Sequence, residues 1–171
     1  GAMVAAVAAA TGMRPRVAGK PEAPLMDDAL ARSGSSSPLV VGDRLDTDIA
    51  GANTVGLPSL LVLTGVSTVD DVLWAGPESR PTHLASSLAV LLEDESASLI
   101  AATDRWSVER DGATVLLSSD TESGDRTAGE PAWADALRSI LPAVWALDGV
   151  DTVEGVDDAA RAVVEEWRTR S

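Results

Sequence analysis

Short apolar runs alternate with helix-like segments through the first half of the chain. Two runs, Leu39 to Val41 and Ser59 to Leu63, are nearly continuous, which is typical of strands buried on both faces of a parallel sheet. A weaker run at 14–18 is β-leaning, and residues 81–84 are predicted as a short edge strand. The predicted helices occupy residues 2–11, 21–34, 47–55, 69–75 and 86–92. Alternation of this kind over short connections predicts parallel βαβ units.

The pattern changes after about residue 95. Apolar and polar positions alternate through residues 106–117 on both sides of Asp111-Gly112. An Asp-Gly pair between two alternating segments predicts a β-hairpin. The polar residues 120–130, rich in Gly, Ser and Thr, predict a mobile loop.

Two further helices are predicted near the end of the chain. The first covers residues 131–146, and Pro142 inside it should kink or break it. The second covers residues 157–168. We therefore expect two parts, an α/β core over residues 1–94 and a small α+β extension over residues 95–171.

Charge and composition exclude several kinds of partner. The 171 residues carry a net charge of −14, which argues against nucleic acid and anionic membranes, because both need clustered Lys and Arg. No apolar stretch reaches the roughly 18 residues of a membrane span. The chain has no Cys, and hence no disulfide or thiolate metal site, so we expect a cytoplasmic protein.

The aromatic content is unusual, with five Trp and neither Phe nor Tyr. We expect Trp106, Trp133, Trp145 and Trp167 to fill the core, and Trp74 to pack its short helix against it. The single His, His83, lies in an apolar stretch, where structural packing is favoured over catalysis.

Three aspartates, Asp43, Asp46 and Asp48, fall within six residues after the predicted strand at 39–41. In open α/β sheets, ligands bind beyond the carboxyl ends of the strands. Carboxylates in that position suit a hard cation such as Mg²⁺. The alternative is that Asp48 and Thr47 cap a helix while Asp43 only ends the strand. On these residues alone both interpretations stay open.

Lys20 adds a cation to this picture. It is the only Lys in the chain and follows Gly19 at the end of the β-leaning segment. A point cation beside a pair of carboxylates is what a phosphoryl group needs for neutralisation. The alternative is an ordinary surface lysine before a helix.

Four motifs follow one another in a fixed order along residues 1–94. They are Gly19-Lys20-Pro21-Glu22, the Gly-Asp-x-x-x-x-Asp pattern from Val41 to Ile49, Gly51-Ala52 with Gly56-Leu57, and Leu61 to Ser67 with its Leu-Thr-Gly-Val. Together they resemble the later motifs of haloacid-dehalogenase (HAD) superfamily phosphatases. The subfamily resembled is IIA, which contains nucleotide-monophosphate, para-nitrophenyl-phosphate, phosphoglycolate and glycerol-phosphate phosphatases.

This resemblance implies a Rossmannoid, HAD-like core and Mg²⁺-dependent hydrolysis of phosphate monoesters through an aspartyl-phosphate. On the matching positions, Lys20 would hold the phosphoryl group and the charge of the nucleophile, and Asp43 would bind Mg²⁺. Asp48 would orient a metal-bound water or ligate the metal weakly. Asp46 and Thr47 would cap the helix or support the site from behind. The substrate implied is a small phosphorylated metabolite, with glycerol 3-phosphate as the best guess.

One part of the family pattern is missing from the chain. The family carries its nucleophile and general acid in an Asp-x-Asp-Gly motif, whereas no Asp here precedes Asp27. The Ser/Thr phosphate-binding motif and the cap are missing as well. We therefore expect the C-terminal portion of a longer phosphatase, whose N-terminal core and cap segment would be its partner. The 171 residues alone should be inactive, because Lys20 and Mg²⁺ have no nucleophile to assist.

Two alternatives to a phosphatase stay open. The first is a non-catalytic assembly or regulatory module derived from such an enzyme. The second is a receiver-like Mg²⁺ and phosphate switch, which needs an acidic pair far upstream of its phosphoacceptor. Only Asp27-Asp28 precedes Asp43, on a predicted helix, which disfavours a receiver.

Overall fold

Three short strands form a parallel sheet near the middle of the chain. The computed structural model describes residues 1–120 and 130–170. The strands are β1 (Val40–Gly42), β2 (Ser59–Val62) and β3 (His83–Ala85), in the order β1-β2-β3. Leu60 pairs with Val41 on one side and with His83 on the other. The middle strand is buried at every residue, as its continuous apolar run predicts. The prediction of a parallel α/β fold is confirmed.

Four α-helices accompany this sheet: α1 (Ala2–Thr11), α2 (Ala23–Ser33), α3 (Ala50–Thr54) and α4 (Val69–Leu73). A π-helical turn, Leu45–Ile49, runs directly into α3, so the helix predicted from residue 47 begins at Leu45 instead. The first two helices end at Gly12 (φ 68°) and Gly34 (φ 61°), both in the left-handed region that favours glycine. Single 3₁₀ segments lie at Pro77–Ser79, Leu88–Leu92 and Glu95–Ala97.

A second sheet contains β4 (Trp106–Asp111), β5 (Thr114–Ser119) and β6 (Thr152–Gly155), in the order β4-β5-β6. The first two strands form the predicted hairpin, whose turn contains Gly112 at a φ of 61°. Helix α5 (Ala132–Ala146) lies between β5 and β6, which pair in parallel, and α6 (Asp158–Thr169) follows. The sequence pattern does not predict β6, because Val153 is the only buried residue of its four and no alternation marks the strand.

Several local expectations differ from the structure. Residues 14–18 form no strand, since all five are exposed and Pro15 lacks the N–H that a ladder needs. Helix α5 continues through Pro142 without a break, because burial of its apolar residues stabilises the helix. The helix predicted at 86–92 is a shorter 3₁₀ segment, Leu88–Leu92. The loop predicted at 120–130 lies, from 121 to 129, outside the described residues.

Buried side chains from both parts of the chain form one hydrophobic cluster. Trp106, Trp133 and Trp167 fill it, as predicted, together with residues of α4 and β3. The prediction for Trp74 is wrong, because its side chain is 43% exposed and does not hold α4 against the core. The predicted boundary at residue 94 falls between the two sheets, but the hydrophobic cluster contains residues from both sides of it. The division into two separate domains therefore stays a prediction. In the part of the chain that the structure describes, no helix is long and apolar enough to cross a membrane.

Polar contacts also join the two parts. The indole Nε1–H of Trp145 on α5 donates to the carbonyl of Val72 on α4, at 3.1 Å. Seven residues earlier on α5, Arg138 donates to the carbonyl of Leu84 on β3, at 3.2 Å. The extension is therefore attached directly to the elements beside the first sheet.

Candidate active site

Lys20 and Asp48 form an ion pair at the carboxyl end of β1. The ammonium Nζ lies 2.5 Å from Asp48 Oδ1, although the residues are 28 positions apart. Asp48 is buried, with 7% of its surface exposed, whereas 39% of the Lys20 side chain is exposed. The pair is possible because residue 42 is glycine, since a Cβ there would lie 2.5 Å from Asp48 Oδ2. The lysine thus remains open on one side while its carboxylate partner is enclosed.

The loop that carries Lys20 packs against the start of α3. A Cβ on Gly51 would lie 3.0 Å from Met26 Cε, 3.6 Å from Pro21 Cα and 3.7 Å from Lys20 Cγ. The peptide bond between Lys20 and Pro21 is cis. A glycine at position 51 therefore lets the lysine loop and α2 approach the helix closely, which brings Lys20 to Asp48.

Asp43 directly follows β1, and the loop after β2 holds it. The Val66 amide donates to Asp43 Oδ2 at 3.2 Å, and the Ser67 amide donates to the Asp43 carbonyl at 2.9 Å. The Leu45 amide in turn donates to Ser67 Oγ at 3.0 Å. A Cβ on Gly65 would overlap the Asp43 carboxylate, so only glycine leaves room for that side chain. Residues 65–67 belong to one of the sequence motifs, but the motif alone predicts no role for them.

Arg44 and Asp46 pair with each other beside the site. The guanidinium donates twice to the carboxylate, from Nε at 3.0 Å and from Nη2 at 2.9 Å. The hydrogen bond and charge of Asp46 raise the pKa of Arg44, and the same hydrogen bond lowers the pKa of Asp46. The expected capping role is wrong, because the helical segment beginning at Leu45 has no side-chain cap. Asp46 neutralises Arg44 instead.

A shallow cleft of about 400 Å³ lies next to these residues. Arg44, Asp46, Val66, Ser67 and Ser79 contribute to its lining. Val66 and Ser67 belong to the loop that holds Asp43, and the sequence pattern does not predict the cleft.

The carboxylates present are compatible with Mg²⁺. Asp43 and Asp48 both lie around the end of β1, and oxygen donors of this kind suit a hard cation that needs only one or two protein carboxylates. No group of three or more His, Cys, Asp or Glu side chains able to hold a metal occurs among residues 1–120 and 130–170. Any Mg²⁺ held here would take its remaining oxygen ligands from water, substrate or other protein groups.

The same combination of elements occurs in known proteins. The HAD-hydrolase-like family model matches residues 17–91. D-glycerol 3-phosphate phosphatase of Mycobacterium tuberculosis is 40% identical over 98% of the chain, which spans about half (49%) of the length of that protein. Phosphoglycolate phosphatase 2 of Arabidopsis thaliana is 39% identical over 54% of the chain, and the match covers 32% of that protein.

A solved structure extends the likeness to both sheets. The crystal structure of a glycerol phosphate phosphatase from M. tuberculosis in complex with magnesium matches 98% of this chain with a TM-score of 0.85 and 41% identity. The match covers 48% of that chain. Since residues 95–171 are included, their strands and helices follow the same arrangement in that enzyme. The motifs, the parallel sheet and these matches agree, and the chain belongs to the haloacid-dehalogenase superfamily, confirming the resemblance to its subfamily IIA phosphatases.

Proposed function

We propose that this chain supplies the lysine and the metal-binding carboxylates of a Mg²⁺-dependent phosphatase that hydrolyses a small phosphate monoester through an aspartyl-phosphate. The nucleophilic aspartate would come from outside these 171 residues. The observation that carries the proposal is the Lys20–Asp48 ion pair close to Asp43 at the end of β1. One cation and two carboxylates grouped in this way support the binding of a phosphoryl group and a hard cation side by side.

Lys20 is assigned to the phosphoryl group. Its ammonium has three N–H donors, of which one reaches Asp48 Oδ1. With 39% of the side chain exposed, the other donors can reach a phosphoryl oxygen and the nucleophile's carboxylate. Asp48 is assigned as the residue that positions this ammonium, with weak metal ligation or orientation of a water as its second role.

Asp43 is assigned to the metal. Its Oδ2 is engaged by the Val66 amide, and we assign its other carboxylate oxygen to Mg²⁺. When bound, Mg²⁺ would neutralise the charge that develops on the transferring phosphoryl group. Asp43 therefore serves as a fixed anionic anchor that requires no proton transfer of its own.

Glycerol 3-phosphate is the proposed substrate. The M. tuberculosis relative named for it is similar along 98% of this chain, whereas the phosphoglycolate phosphatase is similar along 54%. We also propose that the reaction takes place in the cytoplasm, which suits a chain without cysteine.

We further propose that the 171 residues alone do not hydrolyse phosphate esters. The chain contains no Asp-x-Asp-Gly and spans about half of its M. tuberculosis relative. A second candidate function, a non-catalytic assembly or regulatory module, is favoured by one observation. Of the residues that the structure describes after position 94, several pack into the shared core and none takes part in the Lys20–Asp48 pair.

Metal binding by the chain itself is the first test. Mg²⁺ is titrated into the 171-residue chain while the amide NMR signals of residues 42–48 are followed. Asp43→Asn should weaken binding at least about tenfold, since even loss of an outer partner of a metal site has that effect. Asp46→Asn is the matched control, because it removes the same charge three residues further along the chain, at an exposed position. Equal affinity of the wild type and Asp43→Asn would remove the metal role of Asp43.

Phosphate release is the second test. The chain is joined after a segment that carries Asp-x-Asp-Gly and assayed with glycerol 3-phosphate, phosphoglycolate and para-nitrophenyl phosphate. We expect activity only in the joined protein, and a loss of about 10²–10³-fold in kcat for Lys20→Met, the size typical of a lost charge-stabilising donor. Activity of the unjoined chain would contradict the outside nucleophile. A joined protein that binds Mg²⁺ but releases no phosphate would favour the module.

A further inference from the structure

We propose that Gly65, Val66 and Ser67 form a clamp that fixes the carboxylate of Asp43, and that Ser67 is a positioning residue for metal binding. The metal step of this inference rests on the proposed function, whereas the clamp itself is a property of the metal-free chain. Three hydrogen bonds and one close approach connect the clamp to residues 43–45.

Ser67 holds the backbone on both sides of the metal-binding position. Its amide donates to the Asp43 carbonyl at 2.9 Å, and its hydroxyl oxygen accepts the Leu45 amide at 3.0 Å. A single residue thus bonds to the backbone of both neighbours of Arg44, Asp43 and Leu45. Because Leu45 is buried, with 8% of its surface exposed, its amide depends on this partner more than an exposed amide would.

Val66 and Gly65 fix the side chain itself. The Val66 amide donates to Asp43 Oδ2 at 3.2 Å, which uses one carboxylate oxygen and defines the direction of the other. A Cβ on Gly65 would overlap the same carboxylate, so the close approach needs glycine. A carboxylate held in this way loses little conformational freedom when it binds a cation.

The far end of the clamp is anchored by α4. Thr68 caps that helix, with the Asp71 amide donating to its hydroxyl at 3.2 Å and its own amide donating to Asp71 Oδ2 at 2.8 Å. The helix is in turn held by the Trp145 indole, which donates to Val72. Through this hydrogen bond, helix α5 of the extension supports the far end of the clamp.

Amide hydrogen exchange of the metal-free chain tests the clamp directly. Ser67→Ala removes the acceptor of the Leu45 amide, so that amide should exchange at least tenfold faster. Ser67→Thr keeps the hydroxyl and should restore the wild-type rate. The matched control is Ser36→Ala, at an exposed serine between α2 and β1, which should leave the rate of Leu45 unchanged.

Mg²⁺ titration of the same variants tests the positioning role. We expect Ser67→Ala to bind Mg²⁺ at least fivefold more weakly, with Ser67→Thr close to the wild type and Ser36→Ala indistinguishable from it. Gly65→Ala should be at least as weak as Ser67→Ala, since it displaces the carboxylate itself. Unchanged circular dichroism and melting temperature would show that these losses do not come from unfolding.

The outcomes separate the clamp from the proposed function. An unchanged Leu45 exchange rate in folded Ser67→Ala overturns the clamp. Faster exchange with unchanged Mg²⁺ affinity overturns the positioning role of Ser67. If the wild type shows no response to Mg²⁺, the proposed function fails at Asp43 and the positioning role fails with it, while the exchange rates alone decide the clamp.

Discussion

Replacing Arg138 should destabilise the whole chain, because this residue ties the extension to the first sheet. Its side chain is only 6% exposed. It donates to the Leu84 carbonyl at 3.2 Å and to Asp135 Oδ1 at 3.4 Å, and it lies 3.5 Å from Glu130 Oε2. Burial lowers the pKa of the guanidinium, while Asp135 and Glu130 oppose that shift, and the group remains charged.

The size of the effect follows from what is left behind. Arg138→Met keeps the apolar stem but leaves the Glu130 carboxylate, 5% exposed, without its cation. Breaking a buried ion pair by removing one partner costs about 3–5 kcal/mol. Glu130 would keep two hydrogen bonds from Ser86, one from its amide at 2.7 Å and one from its hydroxyl at 3.2 Å. The contacts of Arg138 that would be lost are long, between 3.2 and 3.5 Å. We therefore expect a loss of about 2–4 kcal/mol.

Urea unfolding followed by far-UV circular dichroism and by tryptophan fluorescence measures this loss. A change of about 3 kcal/mol in a chain of this size lowers Tm by roughly 6–12 °C. Arg32→Met is the matched control, because Arg32 pairs with Asp28 on an exposed helix surface. Its effect should stay within about 0.5 kcal/mol.

The double variant Arg138→Met with Glu130→Gln isolates the contribution of the unpaired Glu130 charge. Removing the stranded negative charge should recover at least about 1 kcal/mol relative to Arg138→Met alone. The reasoning is refuted if Arg138→Met unfolds at the wild-type urea concentration, or if Glu130→Gln makes it less stable by the full sum of the single effects. Since the two sheets share one core, both probes should report a single transition.

Three further predictions concern pH, a close approach and an indole hydrogen bond. Burial lowers the pKa of His83 below 6.5, so the unfolded chain binds the proton more readily than the folded chain does. The free energy of unfolding should therefore be highest above pH 6.5 and should fall as the pH drops through the folded-state pKa. His83→Gln should flatten this slope in urea titrations. Gly155→Ala should lower the free energy of unfolding in urea by about 2–4 kcal/mol, because the new Cβ would lie 2.7 Å from the carbonyl oxygen of Ala160. Trp145→Phe should cost about 0.5–1.5 kcal/mol in the same assay, because the carbonyl of Val72 loses the indole donor and keeps the longer bond from the Ala75 amide, at 3.3 Å. A slope that survives His83→Gln, a Gly155→Ala chain as stable as the wild type, or an unchanged Trp145→Phe would each contradict the corresponding contact.

Local sequence signals predicted most of the elements correctly. Strands β1 and β2 follow from continuous apolar runs, and the hairpin of β4 and β5 follows from Asp111-Gly112 between alternating residues. The ends of α1 and α2 follow from Gly12 and Gly34, which adopt the left-handed conformation. These features depend on neighbours in sequence, so the sequence alone contains the information.

Predictions failed where distant residues decide the outcome. Strand β6 has one buried residue and exists because β5 offers it a parallel partner. Helix α5 tolerates Pro142 because its apolar face is buried against the rest of the core. Residues 14–18 have apolar and β-leaning members but remain exposed and unpaired. Local preference is a weak signal in each case, and tertiary packing overrides it.

The candidate site shows the same division. The sequence by itself predicted which residues would carry the chemistry: Lys20, Asp43 and Asp48 stand in motifs whose order and spacing are specific. Only the tertiary structure decided that Lys20 meets Asp48 across 28 positions, and that Ser67 and its neighbours hold Asp43. The physical reason is that a motif specifies side-chain types. Their mutual distances depend on how separate strands and loops pack, and backbone amides and close glycine contacts decide that packing.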